Sequence, residues 1–104
     1  MGLVPKTKVV TVVTAGTAVP VLSAGDLMDN VVDVTIQASS NLIYVGDASV
    51  KASTGVGHKL DSAKGEFINF GMATHGGSAF DLAKLYLDAS VNGSTAVVTY
   101  WRRV

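Results

Sequence analysis

Turn residues cut this chain into short β-branched runs, and nowhere does a helical period develop. Residues 8–14 (KVVTVVT) suit a pleated strand better than a helix, because a branched Cβ loses rotamer freedom against a helical turn. Ala15-Gly16-Thr17 breaks that run. Residues 19–22 then read as a short strand at a sheet edge, since Pro20 has no N–H to donate to a ladder. The clearest strand is residues 31–38. There Val32, Val34, Ile36 and Ala38 fall on one face, and Asp33, Thr35 and Gln37 on the other. Residues 39–41 are a turn, and residues 42–45 the next strand, ended by Gly46-Asp47. Residues 50–52 read as a short strand or extended loop, 53–57 as a flexible connection, 63–65 as a turn and 66–70 as a strand. Residues 71–78 read as a loop. Residues 80–85 allow a helical turn, but alternation from Lys84 to Ala89 favours a strand. Asn92-Gly93 is a hairpin signal, and residues 96–102 form the last strand.

Seven or eight short strands separated by turn chemistry predict an all-β fold. The expected form is a single antiparallel β-sandwich or jelly-roll-like domain, with a closed up-and-down barrel as the runner-up. A chain of 104 residues is one domain. Residues 1–8 are expected to be an N-terminal arm or edge segment, and residues 9–104 the sandwich. One internal echo stands out: residues 43–50 (IYVGDASV) resemble residues 85–91 (LYLDASV). Shared turn chemistry explains it more simply than a duplicated half-sandwich, because the rest of the two halves does not align.

Composition sharpens the question of surface. The chain is 48% hydrophobic and only 15% charged, with zero formal net charge, where about 25% charged is usual. Its mean hydropathy is +0.39. Much of the apolar excess belongs to strands that need a core. The remainder is a charge deficit at outward positions, which implies contacts with other subunits. Balanced charge argues against a nucleic-acid partner, which would call for a basic stripe. No apolar run approaches the roughly 18–20 residues of a membrane span, and residues 1–6 lack the order of a signal peptide. The absence of cysteine removes thiolate catalysis, disulfides and Cys-based zinc sites, and suits folding in a reducing cytoplasm.

No catalytic, cofactor or metal motif emerges. His58 and His75 are too far apart for a short ligand pattern and have no cysteine to join them. Gly76-Gly77 after His75 has no nucleophile elbow to serve. Gly55-Val56-Gly57 lacks the helix and the lysine of a phosphate loop. Glu66 is the sole glutamate, and a glycosidase needs two opposed carboxylates. Most aspartates fall in expected turns.

The candidate binding residues are therefore interfacial. Tyr100 and Trp101 are neighbours on the last expected strand, so one enters the core and the other faces out. The outward ring lies over its own sheet, anchors a subunit, or stacks on a sugar, with the subunit contact favoured over the sugar. Lys6 and Lys8 near one end of the chain, with Arg102 and Arg103 near the other, are solvated ends or a basic edge that docks on an acidic partner.

An ordered series of pieces carries a resemblance. It runs through residues 34–38 (VTIQA), 41–47 (NLIYVGD) and 81–88 (DLAKLYLD), then Asn92-Gly93 and residues 97–101. This series resembles small virion structural proteins of tailed bacteriophages, over about the last three-quarters of the chain. The resemblance implies a non-enzymatic β-sandwich subunit located on the virion after assembly in the host cytoplasm. A capsid cement or decoration protein is the first expectation, bound to the major capsid protein or other virion proteins and forming a homo-oligomer, with a trimer favoured. A tail, neck or head-fibre component is the second expectation, and a glycan-binding module the rival from another class. No cofactor is implied.

Overall fold

The computed structural model describes residues 3–21, 31–70 and 84–103, with the side chains of Leu3, Val32, Phe70 and Arg103 excepted. Residues 23–26 (SAGD), whose composition predicts a turn, the loop expected at 71–78 and the start of the helical turn at Phe80 lie outside the described residues. Among the described residues there are eight strands: β1 (Leu3–Val12), β2 (Val19–Pro20), β3 (Val31–Ala38), β4 (Leu42–Gly46), β5 (His58–Asp61), β6 (Phe67–Phe70), β7 (Tyr86–Ala89) and β8 (Ser94–Arg103). They form two four-stranded sheets, ordered β1-β8-β3-β6 and β2-β7-β4-β5, with every pairing antiparallel.

The pairs nest. β1 pairs with β8, β2 with β7, β3 with β6, and β4 with β5. The chain is thus one long hairpin folded back at the β4–β5 connection and rolled until β8 meets β3 and β7 meets β4. This is the jelly-roll winding of a β-sandwich. Only β4 and β5 are consecutive strands in one sheet; every other connection crosses between sheets.

The core fills the gap between the sheets. Val10, Val12, Val34, Ile36, Ala96, Val98 and Tyr100 face it from the first sheet, and Val21, Ile43, Val45, Leu60 and Leu87 from the second. A register shift between Val31 and Asp33 interrupts the alternation expected of β3, and Val31 is fully buried. Bulges of this kind re-aim the side chains beside them.

Residues 3–8, expected as an arm or edge segment, continue β1, which pairs with β8 over its whole length at the edge of the first sheet. Residues 50–52, read as a short strand or extended loop, form no strand: Lys51 bridges Val56, and Ala52–Thr54 makes a 3-10 turn. One sequence expectation needs correction. Asn92-Gly93 does not join a paired hairpin. It turns the chain from β7 in one sheet to β8 in the other, with the Gly93 N–H on the Val12 carbonyl at 2.9 Å. Pro20 lies at a sheet edge as expected.

Two positions test the packing. Tyr100 is fully buried and, among the described residues, its hydroxyl finds no hydrogen-bond partner. An unsatisfied buried hydroxyl costs about 1–3 kcal/mol. Tyr100→Phe is therefore expected to leave the melting temperature unchanged or raise it; a clear loss in a thermal melt would show that the hydroxyl is satisfied. Gly57 has φ +126°, and a Cβ there would lie 2.5 Å from Val50 Cγ2 and 3.2 Å from the Val45 carbonyl oxygen. Gly57→Ala is expected to cost about 2–4 kcal/mol in urea unfolding, through backbone strain and overpacking together.

Candidate functional site

The two sheets differ in what covers their outer faces. On the second sheet the chain covers its own surface. Asp88, on β7 between two core-facing residues, points away from the core and is nevertheless fully buried. Its Oδ1 accepts the Gly16 N–H at 2.9 Å, and its Oδ2 accepts the Ala52 N–H at 2.8 Å. One carboxyl thereby latches the β1–β2 loop and the β4–β5 connection over the sheet. Val50, also buried, packs close to Gly46 and Gly57 on that connection. An open cleft of about 470 Å³ remains beside the latch, bordered by Thr17, Lys51, Ser53 and Ser90.

Among the described residues, nothing covers the outer face of the first sheet. Registered rows cross it: Pro5, Trp101 and Asp33; then Thr7, Thr99, Thr35 and Asn69; then Val9, Val97, Gln37 and Phe67; then Thr11 and Thr95. Val9 is 60% exposed, Phe67 61% and Trp101 37%. Among the residues whose side chains are described, Asp33 is the one charged group on this face. The polar groups largely bond to each other. Thr7 and Thr99 hydroxyls meet at 3.3 Å, and Ser39 and Thr95 at 2.8 Å. The Asn69 amide donates to Asp33 Oδ1 at 2.9 Å and to Thr35 Oγ1 at 2.8 Å. A face whose hydroxyls and amides are already partnered loses little when water is removed from it, because the main cost of burying a polar group is an unmade hydrogen bond.

The expected interface residues divide across the sheet. Trp101 is on the bare face. Tyr100 is sealed in the core, so it is withdrawn as an interface residue. Lys6 and Lys8 pair with Tyr100 and Val98, which places them on the core side of β1 rather than on the face that carries Trp101. Arg102 shares that side with Tyr100 by strand alternation, and Arg103 closes the ladder opposite Leu3. The six residues do not converge on one patch.

Glu66 accepts the Asp61 N–H at 2.8 Å, and Asp61 accepts the Ala63 N–H at 3.0 Å, so these carboxyls bind the β5–β6 turn. Exposed His58 lines a shallow cleft with Glu66 and Lys59. His75 lies outside the described residues. Among the described residues no three His, Asp or Glu side chains gather as a metal site. No described helix is long and apolar enough to cross a membrane.

The echoed segments pair with one another: Ile43 opposes Ala89, and Tyr44 opposes Asp88. Their aspartates part company. Asp47 is exposed and accepts from the Ser49 hydroxyl and N–H, which hold its carboxyl below the usual carboxylate range, whereas Asp88 is the buried latch. Sequence reading missed Asp88 because a turn aspartate and a latch aspartate look alike in the motif DAS.

Comparison of the chain with protein-family models, with curated proteins and with solved structures finds no match.

Asp88→Ala is expected to lower stability by about 2–4 kcal/mol and to expose the Gly16 and Ala52 amides to hydrogen exchange together. Asp88→Asn keeps one acceptor oxygen and is expected to preserve protection at only one of them. Undiminished protection at both amides in the alanine variant would refute the latch.

Proposed function

We propose that this chain is a non-enzymatic virion structural subunit, a capsid cement or decoration protein that strengthens a shell through protein–protein contacts. The observation that carries the reading is the bare outer face of the first sheet. Its described side chains include one charged group, its polar groups are largely partnered within the chain, and Trp101, Phe67 and Val9 are exposed on it. Such a face gains by apolar burial, at roughly 25 cal/mol per Å² before the entropic cost of association. Many copies on one shell multiply that modest gain. The jelly-roll winding agrees with the reading, since capsid proteins use it, although lectins and cupins do too and a fold does not assign a function. The order of sequence pieces that resembles phage virion proteins adds to it. The partners in this reading are the major capsid protein or other virion proteins, and further copies of the chain.

A second reading has one specific observation behind it. Trp101 is exposed beside Pro5 and Asp33, which is a platform on which a sugar ring stacks. The partnering of the nearby hydroxyls and amide leaves few free groups to grip a glycan, so this reading ranks below the first.

Particles assembled without the chain are expected to break at lower temperature and at higher ionic strength than particles carrying it. Equal robustness of the two would sink the cement role. In a particle reconstruction, copies repeating over the capsid lattice separate cement from a tail, neck or fibre component. Saturable glycan-array binding that disappears in Trp101→Ala would transfer the assignment to the second reading.

A further inference from the structure

We propose that the outer face of the β1-β8-β3-β6 sheet is where two copies of this chain pair, sheet on sheet. The proposal does not depend on the virion reading.

Charge is the first argument. Two copies that meet through the same patch bring like residues near each other across a two-fold axis. Here Asp33 is the one charged group among the described side chains of the face, it sits in the outermost row of those side chains, and the Asn69 amide donates to it at 2.9 Å. The central rows hold only threonine, valine, asparagine, glutamine and phenylalanine, so nothing at the centre repels its own copy.

Size is the second argument. Strand residues tile a sheet at about 3.4 Å by 4.8 Å. Two ten-residue strands, one of eight and one of four then present about 500 Å² of face. Covering it on both copies removes about 1,000 Å², the size at which a specific interface becomes tenable. Twisted sheets also stack readily on one another, with strands about 30° apart.

The alternative of pairing edge to edge is blocked by β1 itself. Pro5 interrupts its row of donors, and Lys6 and Lys8 are charged side chains on the core side of an edge strand, a device that discourages strand addition. The second sheet offers no equivalent face, because its own loops lie over it. A patch that meets itself closes with two copies, so the geometry points to a dimer in place of the trimer expected from resemblance.

An interface near the lower size limit is weak, and half-association is expected at about 1–100 µM. Sedimentation across that range is expected to show the mass doubling. Emission from Trp101, the chain's single tryptophan, is expected to shift to the blue in step with it. The double variant Val9→Lys/Thr99→Lys places positive charge in the central rows and is expected to remain a folded monomer, checked by circular dichroism. Phe67→Lys, at an exposed position on β6, is expected to weaken pairing more than tenfold and serves if the double variant fails to fold. Val56→Lys, away from the face, is expected to pair like the parent.

A parent chain monomeric at about 1 mM overturns the proposal, as does undiminished pairing in both lysine variants of the face. A mass of three copies overturns the two-fold arrangement. A monomer that still binds shells through this face gives the face to a shell protein, so self-pairing fails while the virion reading stands. A dimer with no affinity for any shell does the reverse.

Discussion

The ladder between β1 and β8 is the contact on which the other pairings depend. It runs ten residues, from Leu3 opposite Arg103 to Val12 opposite Ser94, and joins segments from the two ends of the described chain. Every other pair nests inside it. Closing so long a loop costs backbone entropy before any contact repays it. Repayment comes from the core side of the same two strands, where Val10, Val12, Ala96, Val98 and Tyr100 are buried against the second sheet. β8 also pairs with β3 along its other edge, so it carries the centre of the first sheet.

From this winding follows an asymmetry that bears on function. The connections that cross between sheets must turn at the ends of the sandwich. The β1–β2 loop and the β4–β5 connection, which stays within the second sheet, both reach over that sheet, and Asp88 holds them down through its two carboxyl oxygens. Burying a carboxyl in that way is tolerable because each oxygen has a backbone donor. The first sheet has no such cover among the described residues. Its outer rows settle their own hydrogen bonds and remain exposed, and the low charge of the whole chain is concentrated in effect there.

Charge has been placed as carefully as it has been withheld. Lys6 and Lys8, which look in sequence like a basic tail ready to dock, sit on the core side of an edge strand. In that position they guard an edge against uncontrolled strand pairing. These two lysines thus protect the edge, and the neutral face is the one proposed to make contacts. Cement function, dimer formation and glycan stacking all compete for that one face, and they differ in what each asks of Trp101 and the threonine rows.

Strand identity was legible in the sequence where chemistry was local. The alternation of residues 31–38 and the β-branched runs at 8–14 and 96–102 marked β3, β1 and β8, because one apolar face per strand leaves a period of two. Pro20 marked an edge, since a missing N–H is a property of the residue itself. β5 was not legible: HKLD has one apolar residue, Leu60, and becomes a strand only because β4 offers it a ladder. Nor could Asn92-Gly93 reveal that it joins two sheets rather than two paired strands, because a turn specifies a reversal and not the partner beyond it. By itself, then, the sequence determined an all-β sandwich with a shortage of surface charge. The winding, the Asp88 latch, the sealing of Tyr100 and the opposite sides taken by Trp101 and the lysines were decided by tertiary structure. Each depends on which strand lies alongside which, and that is settled by burial across long chain separations.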